Sequence, residues 1–249
     1  MSVKHSPLTL GTEPIGKLLT KFALPSIIAM TASSLYNMTD SIFIGHGVGP
    51  LGIAGLALTF PLMNLAAAFG SLVGVGASTL VSVKLGQKDY DGANNVLGNV
   101  FTLNLIMGIA FSIIFLLLLE PILYFFGASA QTLPYAKDYM EVILYGNVIT
   151  HMYLGLNAVL RSSGFPQMAM GATLVSVVIN CMLTPFFIFV LGWGIKGAAW
   201  ATVLSQAISL TGQLIHFARP SQLLHFHKGI YRLHNELVRG IISIGMSPF

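Results

Sequence analysis

The chain has 249 residues, of which 55% are hydrophobic and 8% charged, with a formal charge of +4. A soluble domain of this size carries about a quarter of its residues as charges, so this composition excludes one and places the chain in a membrane. A single cysteine, Cys181, excludes an internal disulfide framework and a thiolate metal cluster. The basic residues have no stacking aromatics interleaved with them, so no nucleic-acid partner is expected.

Residues 1–17 are polar, with Pro7 and Pro14, and hold no short apolar run ending in a small-residue cleavage site. They read as a cytoplasmic N-terminus, with the first span itself directing insertion. Apolar stretches long enough to cross about 30 Å of hydrocarbon follow near 18–44, 51–83, 96–119, 139–160, 168–191 and 197–218. Loop signals separate them at Gly45 to Gly49, Lys84 to Asp91, Glu120 to Asp138, Arg161 to Pro166 and Gly192 to Gly197. The pattern predicts an all-α membrane protein in which 18–218 form one six-helix transmembrane lobe. Residues 219–237 read as a basic cytoplasmic connector. Leu223, Leu224, Phe226, Ile230, Tyr231 and Leu233 lie among its charges, which suits either a segment on the membrane surface or a solvated linker. Residues 238–249 open a seventh helix but are too few to span, so the chain is expected to be the front part of a longer protein.

Lysine and arginine collect on the cytoplasmic side of short loops. With the N-terminus inside, Lys4, Lys17, Lys21, Lys84, Lys88, Arg161, Arg219, Lys228, Arg232 and Arg239 are cytoplasmic, and only Lys137 and Lys196 are external. Ten against two predicts a multi-pass protein of the cell (inner or plasma) membrane with a cytoplasmic N-terminus.

An ionisable side chain at the centre of a membrane helix costs about 2.5–3.5 kcal/mol on insertion scales, so each one needs a reason. Of the eight acids, only Asp40 falls inside a span. It follows Lys21 by nineteen residues, about 28 Å of helix, which sets it in the outer half of the first span. Ser33, Tyr36 and Asp40 form a polar stripe, with Asn37 beside it. Counting inward from the external loops puts Asn180 and Thr184 of the fifth span, with Ser176, at a similar depth, and likewise Thr202, Ser205, Gln206 and Ser209 of the sixth. Each polar group alone is also what packs helices together, and Asp40 could itself be a hydrogen-bonded structural acid; the coincidence of depth marks a site. His151 lies at mid-depth in the fourth span and reads either as cavity-lining or as a satisfied buried histidine. Asn37 and Gln206 are further cavity candidates. Pro25, Pro61 and Pro185 each remove a helical hydrogen bond and bend their spans. No metal site is expected. Gly47 to Gly52 fits a dinucleotide-binding glycine pattern, but it joins two spans with no preceding strand. Asn37-Met38-Thr39 fits a glycosylation sequon but lies inside a span.

The segment Leu35-Tyr-Asn-Met-Thr-Asp-Ser-Ile-Phe-Ile-Gly45 resembles the multidrug and toxic compound extrusion (MATE) family. So do Leu24-Pro25, Gly74-Val-Gly-Ala with Leu85-Gly86-Gln, Arg161-Ser-Ser-Gly164, and Gly194-Ile-Lys-Gly-Ala-Ala-Trp-Ala-Thr202. The resemblance implies the amino-terminal lobe of a twelve-helix transporter, with a second six-helix lobe as partner. It implies export of drugs or other cationic or amphipathic small molecules in exchange for H+ or Na+, the transported ion standing in place of any cofactor. It further implies that Asp40 is the cation-binding carboxylate, accompanied by Tyr36, Asn180 and Thr202, and that ion binding bends the first helix near Pro25. Where many relatives carry a carboxylate four residues after the asparagine, this sequence has Thr184, which leaves Asp40 as the lobe's single membrane acid and favours protons. Two other functions fit the sequence less well. A lipid-linked saccharide flippase would want a cationic cavity, and a membrane-embedded enzyme a second acid or a serine–histidine pair at one depth; the span interiors offer neither.

Overall fold

The computed structural model describes residues 14–227, 229–230 and 232–247. Most of the expected cytoplasmic N-terminus (1–13), together with Lys4, Lys228, Tyr231 and Phe249, lies outside the described residues. Among those residues every regular element is a helix: α1 (Ile15–Gly47), α2 (Pro50–Gly86), α3 (Tyr90–Leu117), α4 (Leu119–Phe125), α5 (Leu133–Tyr145), α6 (Asn147–Ser162), α7 (Pro166–Pro185), α8 (Gly194–Phe217) and α9 (Asn235–Gly245). Five spans correspond to α1, α2, α3, α7 and α8, and the remaining one is built from two helices. Among the described residues four helices are both long and apolar enough to cross a membrane, or five crossings if α5 and α6 count as one. The 24-residue α8 is long enough, about 36 Å, but its many hydroxyl and amide side chains make it less apolar.

The fourth span, expected as one run over 139–160, is instead α5 and α6 meeting at Gly146 with a 56° bend. A Cβ on Gly146 would stand 2.4 Å from the Val203 side chain, so α8 packs directly onto the break. At the far end of α7, Pro185 has no N–H to return to the preceding turn. The backbone widens there into a π-helical turn over Phe186–Val190, closed by Leu191 N–H donating to Phe186 O at 3.1 Å.

The turn between α1 and α2 is only Val48 and Gly49, with Gly49 at φ +95° and Pro50 opening α2. The two helices then diverge. α1 lies against α7, whereas α2 packs on α6, α3 and α9. Packing between helices in lipid rests on close contact rather than on the hydrophobic effect, and small residues allow it. Gly70 and Gly74 of α2 accordingly meet His151, Leu154 and Gly155 of α6.

Two apolar cores are stacked along the bundle. One, toward the α2–α3 turn, holds Val73, Leu97, Val100, Leu156, Leu160 and Phe217, and the other, toward the α1–α2 turn, Ile44, Leu62, Phe111, Met140, Leu144 and Ile195. Between them runs a polar waist that includes Asn104, Asn147, His151, Asn180, Thr202 and Ser205, all buried.

The turn from α2 into α3 is held by charge. Asp89 caps the helix, accepting from Gly92 N–H at 2.9 Å and from Lys84 Nζ at 2.8 Å. These donors, Lys84 first, hold its carboxyl below the usual carboxylate range. A carboxyl whose folded pKa is depressed adds stability above its unfolded pKa and loses it as pH falls through the folded value. Asp89→Ala is therefore expected to lower the thermal midpoint at pH 7, and the gap from wild type should close on acidification below about pH 4. Thermal scans of both proteins across pH 3–7 measure this.

Among its described residues the connector shows no helix before Asn235, where α9 begins, three residues earlier than the expected start of the seventh helix at 238. Three of its apolar side chains turn toward the lobe: Leu224 and Ile230 are buried, and the Phe226 ring packs between Phe101 and Phe217. Side-chain amides of α3 read its backbone. Asn94 Oδ1 accepts from His225 N–H at 2.9 Å and Asn99 Oδ1 from His234 N–H at 3.0 Å, while Asn99 Nδ2 donates to Arg232 O at 3.2 Å. It is a strap docked on α3 that delivers α9 onto α2.

Candidate functional site

The contacts of α1 with α7 and of α7 with α8 bring the three polar stripes to one place. Asp40, 5% exposed, has its Oδ1 3.0 Å from Thr184 Oγ1, which is also 3.1 Å from Asn180 Oδ1. Asn180 Nδ2 donates to Thr202 Oγ1 at 3.2 Å, and the Tyr36 hydroxyl stands 3.0 Å from the same oxygen. Thr202 Oγ1 gives its hydrogen to Ala198 O, so it accepts from Asn180 and from Tyr36, and its bonding capacity is filled.

The other end of the chain is one hydrogen short. Thr184 carries a single hydroxyl hydrogen, and it faces two oxygens, the Asp40 carboxylate and the Asn180 carbonyl, that can only accept. Among the described residues no lysine or arginine forms an ion pair with Asp40. A buried carboxylate without a cation is costly, and two additions relieve both defects. A proton on Asp40 lets it donate to Thr184, whose own hydrogen then goes to Asn180. A small cation seated among the three oxygens does the same electrostatically.

A cavity of about 170 Å³ opens beside this network, lined in part by Ser33, Tyr36, Asn37, Asn180, Thr202 and Gln206. Asn37 and Gln206 thus fall where a cavity role needs them, and Gln206 Oε1 accepts from Thr150 at 2.6 Å. Tyr153 and Thr173 line the cavity as well, and the buried Tyr139 of α5 stands beside Thr202. Sequence reasoning missed all three, although Thr173 lies seven residues before Asn180 on the same α7 face. His151 is not among them. Its Nε2 donates to Ala66 O at 3.0 Å and its ring packs near Phe111, toward α2 and α3 and away from the cavity. Pro25 is buried within α1, four turns from Asp40. Among the described residues no cluster of metal-ligating side chains occurs.

Fold and site define a polytopic α-helical membrane protein whose helices close around a buried carboxyl group, that of Asp40. Residues 25–186 match the family model described as MatE, and the chain belongs to that family. It is 31% identical over 235 residues to the multidrug export protein MepA of Staphylococcus haemolyticus, a match covering 94% of this chain and 52% of that protein. To MepA of Staphylococcus aureus (strain NCTC 8325 / PS 47) it is 28% identical over 241 residues, covering 95% and 52%. The chain spans about half the length of the curated relatives it matches. Among solved structures, MATE in the bent conformation superimposes with a TM-score of 0.87 at 28% identity, over 93% of this chain and 52% of that one. MATE in the straight conformation gives 0.84 at 29%, over 92% and 51%.

Proposed function

We propose that this chain is one lobe of a cation-coupled antiporter that exports drugs or other amphipathic, cationic small molecules by alternating access. It works with a second six-helix lobe, in the cell membrane, with its N-terminus in the cytoplasm. The reading rests on the Thr184 hydroxyl, whose one hydrogen is shared between Asp40 and Asn180. Binding H+ or Na+ at Asp40 completes the network across α1, α7 and α8, and release leaves it frustrated. The ion thus favours one packing of α1, with Pro25 as its bend, and differential affinity for two packings is what moves an equilibrium. The described cavity lining carries no lysine or arginine, which disfavours a flippase for anionic lipid-linked sugars.

The test uses the whole protein, second lobe included, in weakly buffered detergent solution. Adding a cationic amphiphile should release protons, or sodium should compete with the amphiphile, and Asp40→Asn should abolish either response. A wild type that does neither overturns the reading. Thr184→Val removes a hydrogen bond that the ion-free carboxylate receives, and such a bond to a charged group contributes about 1.5–3 kcal/mol, so proton affinity at Asp40 should rise about tenfold to a hundredfold, whereas sodium affinity should fall with the loss of a ligand oxygen. Ion titration of substrate binding measures that change.

A further inference from the structure

The docked strap leaves a set of cations with no protein partner. Residues 219–239 hold Arg219, Lys228, Arg232 and Arg239 against one acid, Glu236, a net charge of +3. Arg219, Arg232 and Arg239 are exposed, and among the described residues none of them forms an ion pair, not even with Glu236. The neighbouring acid Asp89 is already engaged by Lys84. A free basic linker would be unremarkable, but this one is fixed: Asn94 and Asn99 hold its backbone, and a Cβ on Gly98 would stand 2.1 Å from Ile230 O. With Leu224, Phe226 and Ile230 spent on the lobe, the outward side keeps the three arginines flanked by Leu223 and Leu233, which are 38% and 40% exposed.

Depth decides what this side meets. α3 has 28 residues, about 42 Å, which matches the 40–45 Å of a bilayer with its headgroups. Its Asn94 and Asn99 lie about 6 and 14 Å in from Tyr90, so the strap runs along the boundary of headgroups and hydrocarbon. Arg239 sits beside Gly240, which packs on Leu80, six residues or about 9 Å before the end of α2. At that level arginine stems lie along apolar surface and their heads reach the headgroup layer.

We infer that the outward side of the 219–239 strap is a binding surface for anionic phospholipid headgroups, with Arg219, Arg232 and Arg239 as phosphate ligands and Leu223 and Leu233 seated among the acyl chains. The guanidinium fork pairs with phosphate oxygens two at a time, and each basic residue near an anionic leaflet strengthens binding about fivefold. This is independent of which solute is transported.

The whole protein, second lobe included, is extracted from vesicles of equal phosphatidylglycerol and phosphatidylethanolamine, and co-purifying lipid is counted by native mass spectrometry. Wild type should carry phosphatidylglycerol in excess, and the excess should vanish in high salt. Arg219→Gln with Arg232→Gln and Arg239→Gln should lose it, by about fivefold per residue. The corresponding triple Lys variant should keep most of it and covers the case in which the Gln variant does not fold. A wild type with no excess, a Gln variant with the wild-type excess, or a salt-insensitive excess each overturns the inference. So does pairing of the three arginines with acids of the second lobe.

Discussion

Asp40→Asn is expected to reduce gradient-driven efflux by the whole protein to the level of liposomes lacking it, while leaving its thermal midpoint unchanged. The amide has the shape of the acid, and its Nδ2 can donate to Thr184 Oγ1, freeing the Thr184 hydrogen for Asn180 Oδ1. The substitution thus fixes the arrangement that a bound proton would create and removes the charge that exchanges. Asp40→Ala should also stop efflux, but it strips a buried partner from Thr184 and should lower the thermal midpoint as well. Dye efflux driven by an imposed pH or sodium gradient, read beside thermal unfolding of the same preparations, separates the two outcomes. Coupled efflux at the wild-type rate in the Asn variant would remove Asp40 from the mechanism.

Gly76→Val should be the most damaging single change among the small residues of α2. A Cβ at Gly76 would lie 1.9 Å from Ile241 O and 2.7 Å from Ile241 C, so backbone meets backbone and no rotamer relieves it. On the same seam a Cβ on Gly245 would stand 2.2 Å from Leu72 O. Overpacking of this kind costs about 1–3 kcal/mol, and α9 must move off α2 to accommodate it. Gly86→Ala is the control, because nothing lies within 4 Å of its added carbon. Thermal unfolding should show a lowered midpoint for the first and none for the second, and equal midpoints would mean that the seam yields freely.

The six crossings were legible because an apolar run of twenty or so residues has few other uses. The bend at Gly146 was not, since one glycine in such a run suits a continuous helix and the bend is set by Val203, which comes from another part of the chain. Polar residues at four-residue spacing and matched depth on three spans brought Asp40, Tyr36, Asn180, Thr184 and Thr202 into one candidate set, and the folded chain joins them by hydrogen bonds. Depth alone does not give azimuth, however. His151 stands at mid-depth yet turns toward Ala66, while nothing in the sequence distinguishes Tyr139 and Tyr153 from ordinary aromatic packing. The docking of the connector was hidden for the same reason: Asn94 and Asn99 look like helix-packing amides, and their partners lie far along the chain.

The two-residue joint between α1 and α2 makes a lever of the first helix. Thirty-three residues amount to about 50 Å of rod, so swinging it by 5° about Gly49 carries the opposite tip through about 4 Å. The fulcrum is a glycine at a torsion that side chains resist, and a stiffer residue there would be felt most at the far leaflet, a full membrane thickness from the altered bond.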